Sequence, residues 1–171
     1  AHLEFPIEHR RDEFVQLGQW GDPGLFRPYA RTRWQAVVGP RPGPGVDIVG
    51  ELDDLCIGGD CVDAVLLPHT LETAADPHAV LREVDRILRP DGHVVIAGFI
   101  PLGWWGGRHY ITRRAFPDGL QRMVADYRVR DWLQLLSFRV QRACGVSRAG
   151  WATGRASPPA TCWWPARRSS P

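Results

Sequence analysis

Two apolar segments flank a capped amphipathic helix in the middle of the chain, and this arrangement restricts the possible folds more than any other feature. Residues 62–67 are almost continuously apolar, and residues 93–99 form a second run of the same kind. Between them, Asp76 and Pro77 can begin a helix whose apolar residues recur with helical spacing. A strand, a helix and a second strand in this order predict a βαβ unit with parallel strands and a right-handed crossover.

Several shorter segments have the composition of further strands and helices. We predict strands over residues 14–18, 34–39, 46–50 and 138–140 from their aliphatic and aromatic content. A weak helix is predicted within residues 22–33, and apolar periodicity predicts two more helices within residues 120–136. The fold class predicted from this alternation is α/β.

Charge is distributed unevenly along the chain. All 21 basic residues are Arg, and with 19 acidic residues they give a net charge of +2. Residues 1–131 carry 15 Arg and all 19 acids, which gives −4, whereas residues 132–171 carry six Arg and no acid, which gives +6. The basic average therefore belongs to the end of the chain. We expect a folded domain over residues 1–142 and an irregular, disordered tail rich in Arg, Pro and Trp over residues 143–171.

Three interpretations of this tail remain open. Its loss of acids and of apolar periodicity is what an Arg-rich, out-of-frame reading of the coding sequence produces. A genuine basic tail would instead bind RNA or another acidic partner, because Arg interleaved with Trp151, Trp163 and Trp164 can stack on bases. Plain disorder is the third interpretation, and we rank the nucleic-acid partner below it.

The remaining composition predicts a cytoplasmic protein that does not bind membranes. No apolar run approaches the roughly 20 residues needed to cross a bilayer, and no secretory signal is visible. Cys56, Cys61, Cys144 and Cys162 are irregularly spaced and lack a following pair of histidines. We therefore expect four free thiols and no metal site.

Candidate binding residues lie where the predicted parallel strands end. In an open parallel sheet, ligands bind beyond the carboxyl ends of the strands. Gly18 and Gly21, on either side of Trp20, would allow the backbone to approach a ligand, although an ordinary turn explains them equally well. Glu51, Asp53 and Asp54 follow the third predicted strand, and they form either a solvated acidic loop or a wall that accepts hydrogen bonds from a ligand.

A histidine follows the fourth predicted strand. His69 comes directly after Pro68, and a histidine in this place can act as a general base because its pKa lies near neutrality. Most single histidines have a packing or capping role instead. His69 is therefore a candidate catalytic residue, and no other catalytic residue is predicted.

The order of these motifs resembles the class I S-adenosylmethionine-dependent methyltransferases of the type 11 group. Residues 50–55 (GELDDL) and 62–65 (VDAV) are similar to the group's G-D-A-x-D-L-P-F and F-D-x-V segments. Residues 71–93 are similar to its L-E-H-x-x-D-P…L-x-E-x-x-R-V-L-K-P-G-G segment. Residues 18–21 resemble a degenerate form of its glycine motif, and the resemblance extends over roughly residues 14–140.

The resemblance implies a Rossmann-like, mostly parallel sheet with flanking helices and S-adenosylmethionine as the cofactor. The glycines would flank the methionine part, the acidic loop would lie near the adenine, and Pro68 and His69 would line the pocket below the sulfonium. The implied cofactor-binding set is Gly18, Trp20, Gly21, Glu51, Asp53, Asp54, Leu55, Pro68 and His69.

The chain also departs from the group in several places, one of which is Cys56-Ile57 where the group has Pro-Phe. No carboxylate follows the second predicted strand at Gly39 and Pro40, where the group binds the ribose hydroxyls. The glycine motif has lost its middle glycines. The fold normally ends in a hairpin of a sixth and a seventh strand, and because no apolar pattern follows Val140 we expect the seventh strand to be missing.

The predicted function is that of an S-adenosylmethionine-dependent methyltransferase with an unidentified methyl acceptor. Methyl transfer from a sulfonium needs mainly in-line positioning, so the lack of a catalytic motif is compatible with activity. The alternative is a catalytically inactive, methyltransferase-like binding domain. A nicotinamide-dependent enzyme is disfavoured, because the chain has no G-x-G-x-x-G motif and no acid after the second predicted strand.

Overall fold

The structure is a computed structural model that describes residues 13–19, 26–29, 32–99, 121–141, 144–147, 150–152 and 161–168. Its strands and helices alternate through the first part of the chain and give way to strands near the end. The strands are β1 (Glu13–Leu17), β2 (Trp34–Gly39), β3 (Ile48–Val49), β4 (Val62–Pro68), β5 (Leu88–Phe99), β6 (Phe138–Val140), β7 (Cys144–Ser147), β8 (Gly150–Ala152) and β9 (Thr161–Arg168). The helices are α1 (Thr70–Thr73), α2 (Pro77–Ile87) and α3 (Asp126–Leu135), and a 3-10 turn covers Arg27–Tyr29.

All described strands form a single sheet in the order β3-β2-β1-β4-β5-β9-β7-β8, with β6 also paired to β9. The first five strands of this order are parallel. This arrangement confirms the predicted α/β, Rossmann-like, mostly parallel sheet.

Helix α2 begins as its sequence predicts. The Asp76 carboxylate accepts hydrogen bonds from the N–H groups of His78 (2.9 Å) and Ala79 (3.1 Å), and Pro77 occupies the first turn. These contacts satisfy backbone donors that have no partner within the helix. The buried face of α2 packs on the sheet and consists of Pro77, Val80, Leu81, Val84 and Ile87.

The strand that follows α2 begins earlier than its sequence predicts. Val62 pairs with Leu88 and Ala64 pairs with His93, so residues 89–92 of β5 bulge out of the ladder. Gly92 is required inside this bulge, because a Cβ atom there would collide with the Leu88 side chain and lie 2.9 Å from the Arg89 carbonyl oxygen.

A short connection joins β2 to the parallel strand β3. Parallel neighbours usually need a crossover of a dozen or more residues, often a helix, but residues 40–47 suffice here. Asp47 holds this connection in place, since its carboxylate accepts hydrogen bonds from the Val37 N–H (2.8 Å) and from the Arg27 guanidinium. Of the weak helix predicted within residues 22–33, the described residues show only the 3-10 turn, and residues 20–25 lie outside them.

The expectation that the seventh strand is missing is wrong. Strand β9 pairs antiparallel with β5 from Phe99 opposite Thr161 to His93 opposite Arg167. Its other edge pairs antiparallel with β6 and with β7, which together form one interrupted strand. In a class I methyltransferase sheet, β9 would correspond to the seventh strand, and β6 with β7 to the sixth.

The expectation of an irregular tail is also wrong for the three described segments beyond residue 143, because all three are strands. The sequence of Thr161–Arg168 does not predict a strand, because Pro165 lacks an N–H and is unfavourable within a sheet. The pairing comes instead from the free edge of β5, whose backbone groups need partners.

The sheet has a core on each face. The larger core packs α2 and α3 against strand residues such as Val15, Leu17, Val65, Leu67 and Ile96. The smaller core, on the opposite face, contains Phe14, Phe26, Ala64 and Leu66. Because neighbouring residues of one strand point to opposite faces, the continuous apolar run of β4 reflects burial on both sides, as its sequence predicts.

Candidate cofactor site

The carboxyl ends of the parallel strands meet at one edge of the sheet, which we call the carboxyl edge. Strand β1 lies between β2 and β4, so the chain leaves β1 toward one side of the sheet and returns on its other side with β4. Such a reversal of strand order opens a crevice beyond the ends of the two central strands, and open α/β sheets bind ligands there. The crevice beyond β1 and β4 is therefore the candidate site.

Gly18 forms the end of β1 at this crevice. Its φ of +83° is in the left-handed region, which residues with a Cβ rarely adopt. Its N–H donates to the Val38 carbonyl (2.8 Å), and a Cβ atom at this position would lie 3.0 Å from the Thr70 hydroxyl oxygen. That hydroxyl in turn donates to the Leu17 carbonyl. The turn after β1 is thus fixed against both β2 and the turn after β4. Trp20 and Gly21, predicted beside Gly18, lie outside the described residues.

The acidic loop, which we define as residues 51–55, follows β3 at the same edge. Glu51, Asp53 and Asp54 are exposed, whereas Leu52 and Leu55 are buried in the larger core. The two leucines anchor the loop, and the three carboxylates remain at the surface. Leu55, predicted near the adenine, therefore has its side chain in the core.

Two residues of α2 hold the end of the acidic loop. The Leu55 N–H donates to the Glu83 carboxylate (3.1 Å), and the Arg86 guanidinium donates to the carbonyls of Leu55 and Ile57 (both 2.9 Å). Glu83 and Arg86 also pair with each other at 2.7 Å. The hydrogen bonds from Arg86 are the main reason that the pKa of Glu83 lies below its usual range, with burial opposing and the Leu55 N–H assisting. The pKa of Arg86 is raised, mainly by Glu83.

Pro68 and His69 lie at the end of β4, on the other side of Gly18. His69 adopts a left-handed conformation with φ of +56°, and its N–H donates to the Ala97 carbonyl of β5 (2.9 Å). His69 is 7% exposed, and its imidazole packs against the Phe99 ring with centroids 4.2 Å apart. The structure thus places Gly18 and His69 directly after the ends of two adjacent strands, β1 and β4, at the crevice.

Glu72 is a polar residue of this region that the site prediction omits. Its carboxylate lies 2.7 Å from Nδ1 of His69, and its other oxygen accepts a hydrogen bond from the Phe99 N–H. The Glu72 carbonyl also accepts hydrogen bonds from the N–H groups of Gln121 and Arg122. Burial is the main influence on this carboxyl and raises its pKa, while the hydrogen bonds from His69 and Phe99 act in the opposite direction. The available signal was the spacing of His69 and Glu72, which places the two side chains on one side of a single helical turn.

The residues at the carboxyl edge fit S-adenosylmethionine in part. Exposed carboxylates on the acidic loop are suitable acceptors for an amino group and for hydroxyls, and the space beside Gly50 is open, since a Cβ atom there would meet nothing within 4 Å. Strand β2, however, ends at Gly39 and Pro40 without a carboxylate. Any hydrogen bond to the ribose must therefore come from another element, and the acidic loop offers exposed carboxylates at the same edge.

A comparison with protein families finds a match in the middle of the chain. The methyltransferase domain family of the type 11 group matches residues 29–96, which include β2, β3, β4, the acidic loop and the greater part of β5. The match covers 68 of the 171 residues. The predicted resemblance to S-adenosylmethionine-dependent methyltransferases is therefore confirmed, by the family match over residues 29–96 and by the fold.

A curated relative shares part of the sequence of this chain. The uncharacterized protein YafS of Escherichia coli strain K12 is 45% identical over 84 residues. That alignment covers 48% of this chain and 35% of YafS, so the chain matches about a third of its curated relative.

Solved structures resemble this chain over nearly its whole length. A possible histamine N-methyltransferase from Thermotoga maritima, described as dependent on S-adenosylmethionine, superposes with a TM-score of 0.76 at 15% identity, covering 95% of this chain and 84% of that one. A methyltransferase solved in complex with the Haloferax volcanii activator Trm112 superposes with a TM-score of 0.71 at 18% identity, with the same coverage of both chains. At these identities the similarity shows the fold.

Three further observations concern membrane-spanning helices, metal sites and cysteines. Across the residues that the structure describes, no helix combines the length and the apolar character needed to span a membrane. The same residues contain no group of three His, Cys, Asp or Glu side chains able to hold a metal ion. Cys56 and Cys61 are free thiols, and the Cys61 thiol contacts the Gly58 carbonyl at 2.9 Å.

Proposed function

We propose that this chain binds S-adenosylmethionine at the carboxyl edge and transfers its methyl group to an acceptor that is not yet identified. The observation that carries the proposal is the placement of the left-handed Gly18 turn between the acidic loop and the end of β4, at the reversal of strand order. The match of residues 29–96 to a methyltransferase domain supports it.

Each predicted binding residue has a role in this proposal. Gly18, with Trp20 and Gly21, would lie beside the methionine part, and Pro68 and His69 would lie below the sulfonium. Glu51, Asp53 and Asp54 would accept hydrogen bonds from the adenine and the ribose. Leu55 contributes through its backbone, since both its N–H and its carbonyl are bonded to α2 and thereby fix the loop.

The cofactor would supply an already activated methyl group, because a sulfonium is a good leaving group. The protein's task is then to orient and to desolvate the reactants, which is worth several kcal/mol in well-aligned reactions. The described elements of the carboxyl edge suit that task, because Gly18, the acidic loop and His69 are each tied to neighbouring strands or helices by hydrogen bonds.

A second candidate function is cofactor-independent binding by an inactive domain. The observation that favours it is the missing carboxylate at the end of β2, where Gly39 and Pro40 stand. The prediction that residues 143–171 contact nucleic acid stays a prediction. Such contact would require Arg and Trp side chains of residues 143–171 to reach the nucleic acid, and the described segments of this region are strands of the sheet.

Calorimetric titration of the full chain with S-adenosylmethionine and S-adenosylhomocysteine tests the proposal. We expect saturable binding of both compounds with a Kd in the micromolar range, about −8 kcal/mol. Adenosine and NAD serve as controls, because the first lacks the methionine part and the second would reveal a dinucleotide site. An absence of heat at about 1 mM cofactor would leave the inactive domain as the better description.

A further inference from the structure

A buried glutamine near the end of β1 is a polar side chain that the proposed function does not use. Gln16 is 5% exposed and lies two positions before Gly18. Its neighbours Val15 and Leu17 belong to the larger core, so the alternation along a strand places Gln16 on the face of the smaller core. A buried amide is costly unless it has hydrogen-bond partners. The partner of Gln16 therefore calls for attention at the candidate cofactor site.

The partner of this amide is the carbonyl of the left-handed glycine turn. Nε2 of Gln16 donates to the Gly18 carbonyl across 3.0 Å. The N–H of Gly18 is occupied as well, since it donates to the Val38 carbonyl at 2.8 Å. Both polar groups of Gly18 thus have a partner inside the protein, and the next polar group along the backbone is the N–H of Gln19.

The hydrogen bond from Gln16 also fixes the direction of that N–H. The peptide bond between residues 18 and 19 is trans, because the described residues contain no cis peptide bond. In a trans peptide the C=O and the N–H point in opposite directions. Since the Gly18 carbonyl points toward the buried Gln16 amide, the Gln19 N–H points away from the smaller core, at the end of β1 beside the crevice.

The position of the Gln19 N–H is restrained from several sides. Gln19 is exposed, and within the described residues its backbone N–H donates to no other group. Its side chain donates from Nε2 to the Pro44 carbonyl at 2.5 Å, which ties the turn after β1 to the connection after β2. The Thr70 hydroxyl lies against the same turn, where a Cβ atom at Gly18 would approach it to 3.0 Å. The turn is therefore held from β1, β2 and β4, and its Gln19 N–H can donate to a ligand.

The charges at the carboxyl edge favour an anion at this turn. Residues 14–19 carry no charge, whereas the acidic loop presents the exposed carboxylates of Glu51, Asp53 and Asp54. An anionic group of a ligand would be repelled by these carboxylates and would accept a hydrogen bond from the Gln19 N–H. The two parts of the edge thus suit groups of opposite character.

We propose that Gln16 is a positioning residue of the candidate cofactor site, and that its buried amide aims the Gln19 N–H at a carboxylate of the bound ligand. This inference rests on the proposed function, and it assigns the N–H to the carboxylate of the methionine part of S-adenosylmethionine. An N–H can only donate, so it favours an anionic oxygen over the ammonium group of the same ligand. Because Gln16 fixes its direction before the ligand binds, little ordering is needed on binding.

NMR of the full wild-type chain tests the proposed contact. Gly18 and Gln19 form the only Gly-Gln pair in the sequence. Carbon-13 in the glycine carbonyls and nitrogen-15 in the glutamine backbones therefore select the Gln19 N–H as a single signal. We expect its proton signal to move downfield with S-adenosylhomocysteine, because the N–H then bonds to a carboxylate. The decarboxylated analogue of this compound keeps the amino group, and it should leave the signal near its ligand-free position.

Calorimetry with Gln16→Met supplies the second measurement, because methionine is of similar length and has no donor group. In the wild-type chain we expect S-adenosylhomocysteine to bind at least about tenfold more tightly than its decarboxylated analogue. In Gln16→Met the Gly18 carbonyl loses its partner and the peptide is free to turn, so this preference should fall below about threefold. A merely structural role of Gln16 would weaken both compounds equally and leave the preference unchanged.

Gln35→Met is the matched control for this substitution. Gln35 is a half-buried glutamine near the start of β2, and it pairs with Phe14 of the smaller core. It therefore lies on the same face of the sheet as Gln16 but at the opposite end of the strands. We expect Gln35→Met to keep the wild-type preference for the compound with the carboxylate.

The outcomes separate this inference from the proposed function. If S-adenosylhomocysteine does not bind the wild-type chain, the proposed function fails and the inference fails with it. If it binds, and the Gln19 signal stays in place or moves equally with the decarboxylated analogue, only the inference fails. An unchanged preference in Gln16→Met would also overturn only the inference. The NMR measurement uses the wild-type chain, so it decides the matter even if Gln16→Met does not fold.

Discussion

The backbone N–H of Leu55 donates a hydrogen bond to the Glu83 carboxylate across 3.1 Å, and this contact joins the acidic loop to the central helix α2. Arg86, one helical turn further along, binds the carbonyls of Leu55 and Ile57 and pairs with Glu83. Glu83 and Arg86 therefore hold the acidic loop in place, and both belong to α2, which packs in the larger core.

Replacing Arg86 with Met should destabilise the chain and loosen the acidic loop. The substitution removes two hydrogen bonds to backbone carbonyls but keeps most of the apolar stem. Because the Arg86 side chain is 41% exposed, water replaces part of the loss, and we expect about 1–2 kcal/mol less stability in urea unfolding. Arg82→Met, on the exposed face of α2, is the control and should change stability by less than about 0.5 kcal/mol. Equal effects of both variants would contradict this role of Arg86.

Replacing Asp53 and Asp54 with Asn should weaken cofactor binding. The variants keep the size of each side chain and remove the charge, and we expect roughly a tenfold higher Kd for S-adenosylmethionine in the double variant, or about 1.4 kcal/mol. Calorimetry measures the affinity. Asp60→Asn, in the turn before β4, is the control, because Asn tolerates the positive φ of 52° found there. An unchanged Kd in the double variant would remove these carboxylates from the site.

Lowering the pH should destabilise the fold partly through Glu83. The pKa of Glu83 is lowered in the folded chain, mainly by Arg86. Its ionised form therefore stabilises the fold above the pKa of the unfolded chain, about 4.3. This contribution is lost as the pH falls through the lower pKa of the folded state. We measure the free energy of unfolding in urea from about pH 3 to about pH 7. It should fall less with decreasing pH in Glu83→Gln than in the wild-type chain.

The matched control for this pH dependence is Glu51→Gln, an exposed carboxylate at the start of the acidic loop. Its acid dependence should follow that of the wild-type chain. If Glu83→Gln and the wild-type chain lose stability with the same slope over this pH range, the ion pair with Arg86 does not contribute.

Replacing Gly92 with Ala should destabilise the junction of α2 and β5. The new Cβ atom would collide with the fully buried Leu88 side chain and lie 2.9 Å from the Arg89 carbonyl. Such overpacking costs about 1–3 kcal/mol. Gly50→Ala is the control, because its Cβ atom would meet nothing within 4 Å. Denaturant unfolding of both variants gives the comparison, and a Gly92→Ala chain as stable as Gly50→Ala would show that Leu88 moves aside without cost.

Ending the chain at residue 141 should cause association of the shortened protein. The truncation removes β9 and leaves the edge of β5 unpaired from His93 to Phe99. An unpaired, apolar strand edge is a template for pairing with other chains. Light scattering and the thermal midpoint should reveal aggregation and a lower Tm than for the full chain. A monomeric truncation with an unchanged Tm would show that β9 does not belong to the stable sheet.

Local signals in the sequence predict the elements that surround the site. Asp76, Pro77 and the apolar spacing of α2 lie within a few turns of one another, and the structure confirms the cap and the buried face. The predicted residues Gly18 and His69 also lie where expected, because the ends of parallel strands must share one edge of a sheet.

The partners of these residues could not be predicted in the same way. Glu83 and Leu55 are separated by 28 positions and Thr70 and Leu17 by 53, and no local pattern identifies such pairs. The pair of His69 and Glu72 differs from these long-range pairs, because the two residues are only three positions apart. The role of Glu72 still depends on Phe99, whose N–H occupies its second oxygen.

By itself, the sequence of this chain determined the βαβ unit, the α/β class and the place of the candidate site, because caps, apolar periodicity and strand ends are local properties. Only the tertiary structure decided that Thr161–Arg168 is a strand, since its stability comes from the edge of β5 rather than from its own pattern. The tertiary structure likewise turned His69 from a single histidine into half of a buried pair, because a hydrogen bond from Phe99 leaves Glu72 only one oxygen for the imidazole.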